Sequence, residues 1–320
     1  MKVLTTFLFC IVLANAAKSV EEEWNQFKVK HGRSYRSRLE TSKRFGIFKE
    51  NLRKIEDHNN KFQRGEVSYN LAINKFADLT EEEFKARLNP HPITKVESQT
   101  TLTGVKNFDI PDEIDWNKKG AVTRVKDQGN CGGCWAFGAT GALEAQYFLK
   151  TGQLVPLSEQ YLIDCSTGYN NGCKGGWIEN AYLYIRDKGI VTEESYPYEE
   201  EDKVCRVNGT LFKHIGFVAV QQNEEVLKAA VANKGPVAVS IDASFLSLYG
   251  GGVFDNSDCN QTVTNHAVLV AGYGTTEEGV DFWLVKNSWG ADWGEDGYLK
   301  MSRNKDNQCA IASTPLYPVI

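Results

Sequence analysis

The residues with the most chemical character lie in Gln128-Gly129-Asn130-Cys131-Gly132-Gly133-Cys134-Trp135-Ala136-Phe137. Two adjacent glycines let the backbone turn tightly, and the apolar run after them fits the opening of a helix. A thiol at a helix N-terminus feels the dipole and the unpaired N–H groups, which favour thiolate over thiol. The thiolate is the nucleophilic form, so Cys134 is well placed for covalent chemistry. Taken alone, the Cys131-x-x-Cys134 spacing also suits a disulfide or half of a zinc site.

A thiol nucleophile needs a base, and the base needs a group that fixes its tautomer. Beyond residue 109 the chain has two histidines. His214, in Phe212-Lys213-His214-Ile215, reads as a surface residue of an edge strand. His266 stands at the mouth of the apolar run Ala267-Val268-Leu269-Val270-Ala271, where a strand end can hold a ring rigidly at a cleft. Asn287 follows another apolar run, in Val285-Lys286-Asn287-Ser288-Trp289-Gly290. Its amide can orient the imidazole, and Trp289 can keep water from that hydrogen bond.

These residues must be held by a body of adequate size. The chain has 320 residues, 42% hydrophobic and 24% charged, which suits two ordinary domains of a globular protein. A formal net charge of −5 offers no basis for nucleic-acid binding. Lys2, the apolar stretch Val3 to Leu13 and Ala14-Asn15-Ala16 read as a secretory leader over residues 1–16. That stretch is too short to span a bilayer, and no later run approaches about 18 apolar residues, so no membrane anchor is expected. Disulfides are therefore permitted. Of eight cysteines, Cys10 leaves with the leader. Cys131, Cys134, Cys165, Cys173, Cys205, Cys259 and Cys309 remain, an odd set that leaves one thiol free or paired between chains. The other six allow about fifteen connectivities.

Residues 18–89 carry helical signals and no cysteine. Glu40, Arg44, Phe48, Asn51, Ile55 and Asn59 recur at helical spacing on one face, as in any amphipathic helix. Leu71 to Ile73 suggests a short strand. Thr80 reads as an N-cap, with Glu83 completing a capping box. Between Asn89 and Asp109 periodicity gives way to a polar, extended, proline-containing boundary open to proteolysis. Residues 17–109 hold 18 Lys+Arg against 14 Asp+Glu, and residues 110–320 hold 17 against 27. A basic segment is thus tethered to an acidic body, and acid should weaken the attraction as carboxylates take up protons. After the boundary come helices: Trp135 to Lys150 with Gly152 past its end, a start at Leu157-Ser158-Glu159-Gln160, and Trp177 to Lys188 closed by Gly189. Strands follow at 237–241, 267–271, 282–285 and 298–301. Helices first and strands second argue for α+β architecture in two lobes.

With these residues in view, the chain from about Glu21 onward resembles a papain-family cysteine protease precursor of the cathepsin L-like branch. Cys-Gly-x-Cys-Trp at 131–135 matches its signature, and His266 and Asn287 stand 132 and 153 positions beyond Cys134. The resemblance implies a helical lobe and a β-barrel-like lobe, preceded by a mainly helical propeptide. It divides the chain into a signal peptide (1–16), an inhibitory propeptide (17–109) and a peptidase domain (110–320). It makes Cys134 the nucleophile, His266 its general base and acid, Asn287 the orienting residue and Gln128 an oxyanion-hole side chain. It implies disulfides Cys131–Cys173, Cys165–Cys205 and Cys259–Cys309, leaving Cys134 free.

By the same resemblance, Gly175 and Gly176 lie along the backbone of an extended peptide. Trp177, Ile178, Ala243, Thr264 and Thr314 line the pocket for the second residue before the cut bond, and Trp289 joins the substrate-binding set. None of the five pocket residues ionises, so an apolar or aromatic preference is expected there. With no adjacent histidines, endopeptidase action is expected rather than the carboxydipeptidase variant. The stripe from Glu40 to Asn59 resembles the interspersed propeptide motif. Ala72-Ile73-Asn74-Lys75-Phe76-Ala77-Asp78 is similar to the second motif, with Ala72 where glycine is usual. Such a propeptide runs backwards along the cleft and is removed autocatalytically in acid, so protein and peptide substrates and the chain's own propeptide are the expected partners. No cofactor and no metal is expected, and the protein is read as a monomer of the secretory pathway, lysosomal or secreted. Asn208 and Asn260 head glycosylation sequons. Gly133 and Gly138 stand where the family usually has serine, and Arg124 where it has proline. Two rival readings use the same residues: a thiol–disulfide oxidoreductase acting through Cys131 and Cys134, and a silent peptide-binding homologue.

Overall fold

The computed structural model describes residues 19–89, 91–92, 100–105, 109–206, 210–213 and 216–320. The expected leader, the sequon residue Asn208 and His214 lie outside the described residues. The N-terminal segment supplies α1 (Val20–Lys30), α2 (Arg38–Gln63), β1 (Tyr69–Leu71), α3 (Glu81–Lys85), β2 (His91–Pro92) and β3 (Thr101–Leu102). The body begins with β4 (Ile114–Asp115), α4 (Cys134–Thr151), α5 (Glu159–Cys165), α6 (Ile178–Lys188), β5 (Gly216–Val220) and α7 (Glu224–Lys234). It continues with β6 (Val237–Ile241), β7 (Tyr249–Phe254), β8 (Val263–Thr264), β9 (His266–Thr275), β10 (Asp281–Lys286), β11 (Tyr298–Ser302) and β12 (Leu316–Val319).

Helices α4, α5 and α6 pack as one lobe around Trp135, Leu143, Leu162 and Ile185. The strands make the other, in the order β1-β7-β11-β10-β9-β6-β12-β5-β3 with β4 on β9, around Val239, Val270, Trp283 and Met301. This is the expected α+β arrangement in two lobes. Helix α4 joins them: it is buried from Cys134 to Ala145, and its flank lies on β9. A Cβ on Gly141 would sit 3.1 Å from the Leu269 side chain, so this glycine permits the close approach. At Gly138 the nearest atom would be 3.5 Å away, a spacing that alanine or serine fits. Gly152 closes the helix in the left-handed conformation.

The N-terminal segment is held together by side chains that grip its own backbone. On α2, Arg44 donates to the Asp78 carbonyl at 3.0 Å and to Glu83 Oε2 at 2.6 Å. Asn51 donates to the carbonyls of Ala77 (3.0 Å) and Leu79 (2.9 Å), and Asn59 exchanges two hydrogen bonds with the Leu71 backbone. Phe48 and Ile55 fill the spaces between as buried apolar contacts. The stripe is therefore a clasp on residues 71–83, more specific than an amphipathic face requires. Thr80 and Glu83 form the capping box at α3.

β1 then pairs antiparallel with β7, whose run Tyr249-Gly250-Gly251-Gly252 carries no strand signal in sequence. A Cβ on Gly252 would sit 2.6 Å from the Ser68 carbonyl, so the missing side chains make room for the incoming backbone. The polar stretch after Asn89 pairs where it is described: β2 lies antiparallel to β8, and β3 parallel to β5. Disulfides join Cys131 to Cys173, Cys165 to Cys205 and Cys259 to Cys309. No helix among the described residues is long and apolar enough to cross a membrane.

Candidate active site

The loop before α4 is fixed from three sides. The Gln128 N–H donates to the Ser288 carbonyl (2.8 Å), and Tyr198 Oη donates to the Gln128 carbonyl (2.8 Å). The Gln128 side chain donates through Nε2 to the Cys131 carbonyl (2.9 Å) and accepts at Oε1 from Ser288 Oγ (2.7 Å). Its amide is thereby oriented with one Nε2 hydrogen left for another acceptor. The Cys131–Cys173 bridge and the Gly132 N–H to Cys173 carbonyl bond (2.9 Å) pin the turn. Gly133 is the N-cap of α4 and offers no side-chain cap. A Cβ there would meet Ile163 Cδ1 at 3.1 Å. Cys134, the first residue of α4, is the free cysteine among the described residues and is buried.

The other lobe brings His266, the first residue of β9. Its Nε2 donates to Asn287 Oδ1 at 2.7 Å, which leaves Nδ1 for proton exchange. The Trp289 indole stacks on the ring at 4.5 Å between centroids. The Ser288 N–H also donates to Asn287 Oδ1 at 2.8 Å, so the amide is held from two sides. The backbone N–H of Ala267, the next residue of β9, points at the Cys134 sulfur, together with those of Trp135 and Cys134 itself. Thiol and imidazole thus reach one cleft from opposite lobes.

Sequence reasoning passed over the residues that brace this pair. Asn265 donates to Asp242 Oδ1 (2.8 Å) and Ser244 Oγ (2.9 Å) and accepts from the Ala243 N–H (2.8 Å), which fixes the turn into His266. Ser288 and Tyr198 hold Gln128. None of these carries a short-range motif; each acts on a residue far away in the chain. Of the expected substrate-binding residues, Ala243 and Thr264 meet at this Asn265 turn. The Trp177 N–H donates to Asn170 Oδ1 (2.8 Å), and that oxygen occupies the space a Cβ on Gly176 would need. Ile178 is buried at the start of α6, and Thr314 is buried just before β12 with no partner for its hydroxyl among the described residues.

The N-terminal segment lies across this cleft. The Asn89 N–H donates to the Asn265 carbonyl (3.0 Å) and its side chain to the Gly132 carbonyl (3.3 Å). A Cβ on Gly175 would stand 3.1 Å from Asn89. Phe76 and Phe84 pack edge-on against Trp289 at 5.4 and 5.5 Å. Under this cover, burial pushes the Cys134 thiol up and pushes His266 down to about 4, the bond to Asn287 offsetting only part of that. In the closed protein burial thus works against the thiolate and imidazolium alike.

Beneath the site lies a buried ion cluster. Lys126 Nζ meets Glu144 (2.8 Å) and Glu159 (2.5 Å) and donates to the Leu157 carbonyl (3.1 Å), while Lys286 Nζ donates to Thr123 Oγ1 (3.0 Å). Burial works against every one of these charges. The two carboxylates nonetheless hold Lys126 protonated, and Lys126 holds Glu144 ionised.

A buried thiol at a helix N-terminus, facing a histidine braced by an asparagine across two lobes, defines a cysteine protease held closed by its own N-terminal segment. Comparison with known proteins agrees. Residues 110–319 match the papain family cysteine protease, and residues 24–84 match the cathepsin propeptide inhibitor domain. The chain is 48% identical over 333 residues to digestive cysteine proteinase 1 of Homarus americanus, covering all of both chains. It is 47% identical over 343 residues to a cathepsin L-like peptidase of Aedes aegypti, again over the full length of both. Its structure is similar to that of digestive procathepsin L 3 from Tenebrio molitor larval midgut, with a TM-score of 0.88, 44% identity, and coverage of 95% of this chain and 100% of that one. The chain belongs to the papain family of cysteine proteases. It is a cathepsin L-like zymogen that carries its propeptide inhibitor domain.

Removing one partner of a buried ion cluster leaves the others uncompensated. Lys126→Met should destabilise the zymogen by about 3–5 kcal/mol, read as a fall in urea midpoint. An unchanged midpoint would show that the cluster does not brace the site.

Proposed function

We propose that this zymogen matures into an endopeptidase that cuts peptide bonds through a Cys134 thioester. The observation that carries the residue roles is the His266–Asn287 hydrogen bond, shielded by Trp289 and set one residue before the amide that faces Cys134. The Cys134 thiolate attacks the substrate carbonyl, and the oxyanion accepts from the Cys134 N–H and the free Nε2 hydrogen of Gln128. Protonated His266 gives its proton to the leaving amine as the carbon–nitrogen bond breaks. Water, deprotonated by His266, then attacks the thioester and releases the acid and the thiol. Asn287 accepts from Nε2 throughout and keeps Nδ1 turned to the sulfur.

The charged pair is favoured once the N-terminal segment leaves and water re-enters the cleft. Acid favours that departure through two kinds of group. Ion pairs cross the boundary from Lys75 to Asp127 (2.5 Å) and from Lys30 to Asp292 (3.9 Å), and carboxylates lose their charge in acid. Burial also pushes His31 down; Lys30 and Arg33 add to this, and Asp292 and Asp78 oppose it. Burial pushes His58 down as well, against its bond to the Tyr69 carbonyl. A histidine held below its free value of about 6.5 stabilises the folded segment above that pH, and this support is lost as pH falls below it.

The mature chain would begin near Ile110, the boundary of the 17–109 propeptide. Trp177, Ile178, Ala243, Thr264 and Thr314 would form an apolar pocket for the second residue before the cut bond, with Gly175 and Gly176 along the peptide backbone. The enzyme would act as a monomer in the secretory pathway, in a lysosome or a digestive lumen. The relatives named as digestive proteinases support the latter. Asn260, in an exposed turn closed by Thr262, is the described sequon open to glycosylation.

An epoxide-type cysteine-protease inhibitor should label the mature enzyme once, at Cys134, and Gln128→Ala should lower kcat by about 10²–10³. Labelling at Cys131, or both thiols titrating with a dithiol reagent, would favour an oxidoreductase instead. The zymogen should process itself faster at about pH 4–5 than at pH 7; a Cys134→Ala variant that processes equally well would defeat self-cleavage. In a peptide panel, Leu and Phe should outrun Arg at the second position before the cut, and the reverse order would refute the apolar pocket.

A further inference from the structure

We propose that the mature cleft selects basic residues beyond the cut bond, with Asp127, Glu200 and Asp292 as the specificity determinants. This rests on the reading above, in which Gly175, Gly176 and Thr264 bind the residues before that bond. The N-terminal segment shows how the cleft is laid out. Its Arg87 donates to Asn130 Oδ1 (2.8 Å) and to the Gly129 carbonyl (2.9 Å). Asn89 then touches Gly132, Gly175 and Asn265, and β2 pairs with Val263–Thr264. Residues 127–130 and 289–292 therefore form the end away from Thr264, where the leaving-group side of a substrate must lie.

At that end is a cavity of about 550 Å³ with Trp289 in its wall. The charges lining it divide cleanly by origin. Every lining cation, Lys30, Lys75 and Arg87 among them, comes from the N-terminal segment, and every lining carboxylate comes from the body. Lys75 is the most informative: its side chain is only 17% exposed, yet its ammonium is seated on Asp127 at 2.5 Å. Glu200 accepts from the Asn130 N–H beside Arg87, and Asp292 faces Lys30. The chain thus already docks basic side chains in this end of its own cleft. When the segment departs, the three carboxylates lose those counter-charges. A lysine or arginine of a substrate can replace them, with its aliphatic stem on the Trp289 ring. These pairs are partly exposed, so the preference is modest and falls with salt.

The test uses the self-processed enzyme, with active sites titrated by the epoxide inhibitor. Quenched peptides share one sequence before the cut and carry Lys, Gln or Glu at each of the next three positions in turn. Lys should exceed Glu in kcat/KM by about 3–10-fold at one or more positions, narrowing in about 0.5 M salt. The preference should shrink in Asp127→Asn, Glu200→Gln and Asp292→Asn singly, and vanish when they are combined; if the combined variant fails to fold, the single variants decide. Equal rates for Lys and Glu at all three positions overturn the proposal, as does a Lys preference that the single variants leave intact. Absence of both epoxide labelling and any cleavage would instead overturn the protease reading on which this rests.

Discussion

The site depends on where one buried amine finds its partners. An ammonium group taken out of water costs several kcal/mol unless opposite charges and hydrogen bonds meet it. Lys126 is met by Glu144 on α4 and Glu159 on α5, with Lys286 at the end of β10 completing the cluster through Thr123 and the field of the two carboxylates. Three of its members stand near a residue of the candidate site. Gln128 comes two positions after Lys126, Asn287 directly follows Lys286, and Glu144 shares a helix with Cys134. Satisfying the cluster therefore fixes, at once, the Gln128 loop, the helix that opens on Cys134 and the strand that ends just before Asn287. The penalty for leaving any of these charges unpaired is what makes their positions so definite.

The same physics of burial keeps the enzyme silent. Covering the cleft with Asn89, Phe76 and Phe84 removes the water that a thiolate and an imidazolium need. Burial disfavours the charged pair while every residue of the constellation stays in place. The segment thus blocks the cleft and adds to the burial of the pair, and its departure reverses both. The clasp by Arg44, Asn51 and Asn59 takes hold chiefly of backbone atoms, with the Glu83 side chain gripped as well, and so fixes the path of residues 71–83.

Much of the fold was legible because local patterns agree with it. Apolar runs at 237–241, 267–271, 282–285 and 298–301 lie within β6, β9, β10 and β11, and the Thr80–Glu83 box opens α3 where it should. β7 was not legible, because its glycines serve the close approach of β1 and give up the side chains by which a strand is recognised. Gly138 stands where the family usually has serine, and in space a Cβ there would make ordinary contact with Ala267 at 3.5 Å. Gly133 is different: Ile163 of α5 already stands against its Cβ position, so the departure belongs to packing between two helices.

By itself the sequence determined the kind of chemistry and the residues fit for it. A helix-opening thiol, a histidine at a strand mouth, an asparagine after a strand and an odd number of cysteines are local facts of type and spacing. Only the tertiary structure decided what state that chemistry is in. The bracing by Asn265, Ser288 and Tyr198, the ion cluster of Lys126 and the buried Cys134–His266 pair under Asn89 all join residues distant along the chain. Burial and electrostatic pairing are properties of neighbours in space, and the order of residues does not state which neighbours those will be.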